Sequence, residues 1–178
     1  ICPLHGPVWR NNLEYFIDKH DKWSKYEPEE KGVLIAYASM YGNTEAAAQC
    51  LASKLVEKGC TNIKVYDVSN THVSQLISES FKLSNIVLAS VTYNTGLFPA
   101  MLDYLEDMKA LEVQNRTIAL MENGSWGPRA ASHMTNFINN NLKNMTLLEP
   151  KVTIKSAGKD SDVQNIDALA DAIIESMK

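Results

Sequence analysis

One segment of the sequence combines hydroxyl, amide and glycine residues in a pattern that could hold a phosphate group. It follows a short apolar run, residues 33–38, and precedes a stretch with helical spacing of apolar residues. Its members are Ser39, Met40, Tyr41, Gly42, Asn43 and Thr44. The free N–H groups of a helix's first turn point outward, so such a loop can bind phosphate through neutral hydrogen bonds and the helix dipole. The alternative is a plain strand-to-helix turn with Asn43 or Thr44 as the N-cap.

The composition of this loop excludes two common classes of phosphate-binding site. The loop contains no Lys or Arg, whereas a P-loop requires the GxxxxGK[ST] pattern with its lysine. The GxGxxG fingerprint of dinucleotide-binding proteins is also absent. The composition therefore favours a phosphate ligand that is bound without a cationic side chain in the loop.

Two later polar loops could hold a flat heterocycle. The second loop contains Thr92, Tyr93, Asn94, Thr95 and Gly96, and the third contains Asn123, Gly124, Ser125, Trp126 and Gly127. Backbone N–H groups suit the edge of such a ring and an aromatic side chain suits its face. Taken singly, each loop could be an ordinary turn, so the joint occurrence of all three carries the prediction.

The elements around these loops predict an α/β fold. From residue 33 onward, five apolar strands alternate with five helices. The strands are expected at residues 33–38, 63–68, 85–90, 116–121 and 147–154, and the helices at 43–58, 72–82, 99–110, 128–142 and a final stretch through 177. This alternation predicts a doubly wound, five-stranded parallel sheet with helices on both faces. Since ligands bind at the carboxyl ends of such strands, the three loops should converge on one ligand.

Composition excludes several other classes of protein. The 178 residues include 17 Lys and Arg against 21 Asp and Glu, a net charge of −4 that argues against a nucleic-acid partner. No apolar run is long enough to span a membrane, and no signal pattern opens the sequence. The three cysteines, Cys2, Cys50 and Cys60, form neither a disulfide framework nor a zinc pattern. We therefore expect a cytoplasmic protein without nucleic-acid or membrane partners.

Residues 1–32 differ in composition from the rest of the chain. They hold two of the three tryptophans and three of the six prolines, and they predict one helix with Asn11 as its N-cap. Residues 26–32 are polar and broken by Pro and Gly, which indicates a linker. A lone aromatic helix must pack either on the following domain or on a domain that is missing upstream. Because the sequence opens on Ile1 rather than Met, we expect a piece of a longer protein.

The three loops resemble the FMN-binding loops of flavodoxins, and the resemblance runs over residues 33–178. It implies the strand order 2-1-3-4-5, with the isoalloxazine ring between the second and third loops. It places the FMN phosphate on Ser39, Tyr41, Asn43 and Thr44. Backbone groups of Tyr93, Asn94 and Gly96 would bond the ring edge. Tyr93 or Trp126 would cover a face of the ring.

Residues 3–10 and 22–28 resemble the domain junction of flavodiiron proteins, also called A-type flavoproteins. The resemblance implies that residues 1–32 end a metallo-β-lactamase-like diiron domain and include the linker. Residues 33–178 would be the flavodoxin-like domain. In that family FMN passes electrons from a rubredoxin-type donor to a diiron centre that reduces oxygen or nitric oxide. His5 would be a diiron ligand only in the full-length protein.

The same resemblance implies a head-to-tail homodimer or tetramer for the full-length protein. This chain alone should only transfer electrons, with no catalytic residue of its own. His20, His72 and His133 lack the i, i+4 spacing of a helical metal pair, and we interpret them as structural or surface residues. We also expect Glu122 and the cation-free phosphate loop to lower the reduction potential of the flavin.

Three other functions share the predicted fold. A free-standing flavodoxin-type electron carrier explains residues 33–178 equally well but gives residues 5–28 no purpose. An NAD(P)H-dependent quinone reductase is less favoured because no residue set for nicotinamide is evident. A phospho-receiver domain needs adjacent acids at the end of the first strand, where Ala38 and Ser39 stand.

Overall fold

A parallel sheet forms the centre of the structure, a computed structural model that describes residues 1–178. Its strands are β1 (Glu30–Ala38), β2 (Ile63–Asp67), β3 (Leu83–Tyr93), β4 (Gly96–Leu97), β5 (Thr117–Asn123) and β6 (Thr146–Ile154). The five long strands are parallel in the order β2-β1-β3-β5-β6, and β4 pairs antiparallel with the end of β3. The order predicted as 2-1-3-4-5 is confirmed, with β4 as an additional strand that the sequence pattern does not predict.

Six helices accompany the sheet. They are α1 (Leu13–Ser24), α2 (Asn43–Glu57), α3 (Val73–Lys82), α4 (Pro99–Ala110), α5 (Ala130–Asn141) and α6 (Asp160–Ser176). Helices α2 and α6 pack together on one face of the sheet, and α3, α4 and α5 cover the other. The predicted doubly wound α/β fold is thus confirmed. None of the six helices has both the length and the apolar content needed to cross a bilayer.

The central strands are apolar without interruption because both of their faces are buried. In β1, Leu34 and Ala36 belong to the core beneath α3, α4 and α5, while Val33 and Ile35 belong to the core beneath α2 and α6. Neighbouring side chains on a strand point to opposite faces, so a buried parallel strand needs an apolar residue at every position. Burying each large aliphatic side chain stabilises the fold by about 1.5–3 kcal/mol.

The ends of two strands differ from the predicted bounds. Strand β1 begins at Glu30, inside the predicted linker, and its pairing with β3 shifts register between Glu30 and Val33. Strand β3 continues to Tyr93 because Thr92 and Tyr93 pair with β4 after the parallel ladder ends. These polar residues are in strands because main-chain pairing is available to them, although their side chains give no apolar signal.

The N-terminal helix differs from its prediction at its first residue. Helix α1 begins at Leu13, and Asn12, in a left-handed conformation with φ of 54°, precedes it without a side-chain cap. The predicted N-cap at Asn11 is therefore wrong. No residue of α1 is buried. The helix is tied to the domain by Glu29, which accepts from Lys19 Nζ at 2.5 Å and from Trp23 Nε1 at 2.6 Å.

A buried arginine fastens the segment before β1 to the sheet. Arg116 is 2% exposed, and its guanidinium donates to the carbonyl oxygens of Tyr26 at 2.8 Å, Ser80 at 2.9 Å and Phe81 at 2.6 Å. It also donates to the carbonyl oxygens of Gln114 and Asn115. A buried charge is tolerated only when its hydrogen-bonding capacity is satisfied. Arg116 therefore joins three parts of the chain, namely residue 26, the end of α3 and the start of β5.

Candidate cofactor-binding site

The three predicted loops meet at the carboxyl edge of the sheet and enclose a cavity of about 1000 Å³. Of the predicted site residues, those that line it are Ser39, Met40, Tyr41, Asn43, Thr44, Thr92, Asn94, Thr95, Asn123, Gly124, Ser125, Trp126 and Gly127. Gly42, Tyr93 and Gly96 do not line it. The volume is at the upper end of the range for small-molecule and cofactor sites.

The first loop leaves the start of α2 uncapped. Gly42 is the N-cap, with φ of +82°, a conformation that glycine adopts without steric cost. No side chain caps the helix, so neither Asn43 nor Thr44 is the N-cap. The first internal bond of the helix runs from Ala46 N to Gly42 O, at 2.8 Å. The N–H groups of the first turn before Ala46 therefore have no partner within the helix and are available to an anion.

A buried hydroxyl without a partner lies in the same loop. Ser39 Oγ is buried and makes no hydrogen bond, although Ser39 lines the cavity. Such a group costs about 1–3 kcal/mol when it is unpaired, so native structures rarely retain one without a reason. Together with the uncapped helix, this donor fits a phosphate oxygen. Phosphate chemistry is thus compatible with the residues that are present.

The second loop is a tight hairpin between β3 and β4. Asn94 and Thr95 both have positive φ, 47° and 62°, which is the geometry of a two-residue type I′ turn. His133 Nε2 lies 3.0 Å from the carbonyl oxygen of Thr95 and links the hairpin to α5. The hairpin is thereby held in place on the cavity wall, which agrees with the interpretation of His133 as a structural or surface residue.

The second and third loops are packed against each other. Thr92 Oγ1 accepts from the backbone N–H groups of Arg129 at 2.9 Å and Ala130 at 3.2 Å. A Cβ on Gly124 would lie 3.2 Å from Thr92 Oγ1 and 3.0 Å from Pro128 Cα, so a larger residue would push the two loops slightly apart. The two loops therefore form one wall with a defined spacing.

Three aromatic residues of the first, second and third loops are exposed to solvent and could contact a ligand. Trp126 is 99% exposed and Tyr41 is 86% exposed, and both line the cavity. Tyr93 is 43% exposed but packs edge-on against Phe98, with ring centroids 5.9 Å apart. An indole in water gains apolar contact when it stacks on a flat ring. Trp126 is therefore better placed than Tyr93 to cover a ligand.

The charges of the site differ from the sequence-based expectation. Glu122 is 5% exposed and does not line the cavity, because its carboxylate accepts from Ala131 N at 2.9 Å and Thr153 Oγ1 at 2.8 Å. It thus satisfies the start of α5 instead of facing a ligand. The one charged residue that lines the cavity is Arg129. The cavity lining therefore includes one positively charged residue, which the expectation from Glu122 and the cation-free loop did not take into account.

A neighbouring phenol is neutral at physiological pH. Burial, together with the carboxylates of Glu45 and Asp67, raises the pKa of Tyr37 to about 12. Tyr37 lies at the end of β1, two residues before Ser39. It adds no negative charge next to the phosphate-accepting loop.

Three lining residues were not predicted from the sequence: Val91, Arg129 and Ser156. Arg129 directly precedes α5. The sequence could have indicated it, because the third loop continues through Pro128 to the start of this helix. Ser156 follows β6, where its backbone N–H and carbonyl bond the side chain of Asn123 at 3.2 and 2.9 Å. The turn after β6 lies close to the cavity because β6 pairs with β5, and no local sequence pattern reveals this pairing.

His5 lies elsewhere, in an apolar groove of the N-terminal segment. The groove has a volume of about 710 Å³, and its lining includes Trp9, Phe16, His20 and Trp23. No group of three or more His, Cys, Asp or Glu residues in the structure could hold a metal ion. The residues of this chain therefore do not by themselves form a metal centre, and the assignment of His5 as a ligand stays a prediction.

The sheet order, the uncapped helix after β1 and the two clamped loops at the same edge define a flavodoxin-like α/β domain. The flavodoxin family pattern matches residues 35–146, and the chain belongs to this family. Rubredoxin-oxygen oxidoreductase of Megalodesulfovibrio gigas is 26% identical over 180 residues, which cover 100% of this chain and 44% of that protein. The chain spans less than half the length of the first curated relatives it matches.

Solved structures show the same fold. The flavodiiron protein from Giardia intestinalis aligns with a TM-score of 0.85 at 21% identity, covering 97% of this chain and 43% of that one. A flavodoxin from the domain Archaea aligns with a TM-score of 0.70 at 20% identity, covering 83% of this chain and 99% of that one. The predicted resemblance to flavodoxins and flavodiiron proteins is confirmed.

Proposed function

We propose that this chain is an FMN-binding electron-transfer domain. The observation that carries the proposal is the buried, unpartnered Ser39 Oγ beside the uncapped N-terminus of α2, in a loop without Lys or Arg. A nucleoside triphosphate site of the P-loop type would place a lysine there. Flavodoxin family membership favours a flavin mononucleotide over other phosphate ligands.

In this proposal the phosphate is held by side-chain hydroxyls and backbone N–H groups. Ser39 and Thr44 would donate their hydroxyls, and the first turn of α2 would donate its free N–H groups. Hydrogen bonds to a charged group contribute about 1.5–3 kcal/mol each, so a few of them replace a cationic side chain. Thr44 is 3% exposed, which keeps its hydroxyl in a region of low water content.

The ring would lie between the second and third loops. Asn94 and Thr95 of the hairpin line the cavity, and their backbone groups would bond the ring edge. Trp126 is exposed and would cover a face of the ring. When bound, FMN supplies the ability to accept electrons singly and pass them on. The protein residues bind the ring, orient its edge toward the two loops and limit the access of water.

We further propose that the domain works within a longer flavodiiron protein in the cytoplasm. Residues 1–32 would then be the end of a diiron domain with its linker, and residues 33–178 the FMN domain. The exposed aromatic groove around His5 and the 26% identity to a rubredoxin-oxygen oxidoreductase over the whole chain support this proposal. The donor would be rubredoxin or a rubredoxin-like protein, and the acceptor a diiron centre that reduces oxygen or nitric oxide. A head-to-tail homodimer or tetramer would bring FMN and metal together.

The second candidate is a free-standing flavodoxin-type electron carrier. It is favoured by the archaeal flavodoxin, nearly all of which aligns with this chain. It gives no role to the apolar N-terminal groove, whose Trp9 and Trp23 are 40% and 45% exposed. The two candidates share FMN binding and differ in the electron partners and in the role of residues 1–32.

The test is a flavin titration of the 178-residue chain. FMN should bind with a perturbed visible spectrum and quenched fluorescence, and riboflavin should bind more weakly because it lacks the phosphate. A protein that is colourless after purification and takes up no added FMN would refute the proposal. Equal affinities for FMN and riboflavin would refute the assigned phosphate loop.

A further inference from the structure

One charged residue, Arg129, lines the cavity, and it belongs to a different loop from Ser39 and Thr44. Arg129 precedes α5 and is exposed, and its guanidinium makes no hydrogen bond or ion pair in the structure. No carboxylate lines the cavity to neutralise it. An arginine without a partner at the wall of an otherwise neutral site has its full charge available for a ligand.

The backbone of Arg129 has a fixed position relative to the second loop. Its N–H donates to Thr92 Oγ1 at 2.9 Å, next to the hairpin of Asn94 and Thr95. The phosphate-accepting groups belong to the other loop, around Ser39. Arg129 is therefore anchored to the two loops between which the ring is proposed to lie.

The chemistry of a flavin ring supplies a partner for this charge. Reduction by two electrons and one proton leaves the ring with one negative charge, delocalised over N1 and the C2 carbonyl. The electrons come one at a time from the donor protein, and the proton comes from water. Oxidised flavin carries no ring charge, so a nearby cation stabilises the reduced ring selectively.

We propose that Arg129 stabilises the negative charge of the reduced flavin ring and thereby raises the reduction potential of the bound cofactor. The inference rests on the proposed binding of FMN. It reverses the sequence-based expectation of a lowered potential, because the carboxylate of Glu122 bonds the start of α5, and Arg129, not Glu122, lines the cavity. An exposed charge is screened by water, so its effect on the affinity ratio is about fivefold and not larger.

The experiment compares Arg129→Gln and Arg129→Lys with the matched control Lys64→Gln. Lys64 is an exposed lysine on β2 that neither lines the cavity nor forms an ion pair. Each purified protein is loaded with FMN and titrated in a spectroelectrochemical cell. The ratio of affinities for reduced and oxidised FMN should fall about fivefold in Arg129→Gln. Arg129→Lys should keep most of the ratio, and Lys64→Gln all of it.

Two further measurements, with riboflavin and at raised salt, separate failure of this inference from failure of the proposed FMN binding. The same loss of ratio should occur with riboflavin, and it should shrink as salt is raised. An unchanged ratio in Arg129→Gln, or a loss seen with FMN but not with riboflavin, would overturn the inference while leaving FMN binding intact. If neither the unmodified chain nor any variant binds flavin, the proposed function fails together with the inference.

Discussion

The substitution Ser39→Ala should have opposite effects on the free and the FMN-bound protein. In the free protein Ser39 Oγ is buried without a hydrogen-bond partner, which costs about 1–3 kcal/mol. Alanine removes this hydroxyl and adds no new group. We therefore expect the free energy of unfolding of the free protein to rise by about 1 kcal/mol, the lower end of that range, which for a domain of this size is a Tm increase of about 2–4 °C.

With FMN bound, the same hydroxyl is proposed to donate to a phosphate oxygen. Its loss should weaken FMN binding by about 1.5–3 kcal/mol, or roughly 10- to 150-fold. Riboflavin affinity should stay unchanged, since riboflavin lacks the phosphate. The stabilisation that FMN confers on the protein depends on its dissociation constant, so the FMN-induced rise in Tm should shrink.

The assay is thermal unfolding followed by circular dichroism, with and without FMN, combined with fluorescence titration for the dissociation constants. Ser78→Ala is the matched control, because Ser78 is an exposed residue of α3 that makes no hydrogen bond through its hydroxyl and does not line the cavity. A lower Tm of the free protein would show that Ser39 Oγ is satisfied. An unchanged FMN affinity would show that this loop does not hold the phosphate.

Three further predictions concern single side chains. Trp126→Ala should leave stability unchanged, since the indole is 99% exposed, but should reduce the quenching of flavin fluorescence; unchanged quenching would assign the ring contact to Tyr93. Glu122→Gln should lower the free energy of unfolding by about 1–2 kcal/mol because it weakens charge-assisted bonds to the start of α5, and the flavin potential should not move; a shifted potential would contradict this placement. Arg116→Met should cost about 3–5 kcal/mol in urea unfolding because several backbone carbonyls lose their donor, with Arg116→Lys between the two; a loss below about 1 kcal/mol would contradict it.

The architecture could be predicted from the sequence because each strand had to be apolar on both faces. Residues 33–38 form such a run, and the helices between the runs carry their apolar residues at helical spacing. The strand order followed from a family resemblance and not from this pattern. Hairpin strand β4 could not be predicted, because its two residues are in a strand only by pairing with the end of β3.

Most residues that line the cavity could be predicted from the composition of the loops. Thirteen of the sixteen predicted cofactor-site residues line the cavity, since loops after neighbouring parallel strands must meet at one edge. Gly42, Tyr93 and Gly96 fall outside the lining because a residue within a lining loop can still face away from the cavity.

By itself, the sequence predicted the parallel sheet, the edge at which the three loops meet and the absence of Lys and Arg from the first loop, because these depend on residue type and order along the chain. Only the tertiary structure decided which charged residue borders the cavity. Glu122 and Arg129 are seven residues apart, yet the carboxylate of Glu122 bonds the start of α5 while Arg129 lines the cavity. The direction of a side chain depends on which backbone groups the fold leaves unpaired nearby. This arrangement of backbone groups forms only when α5 packs against β5.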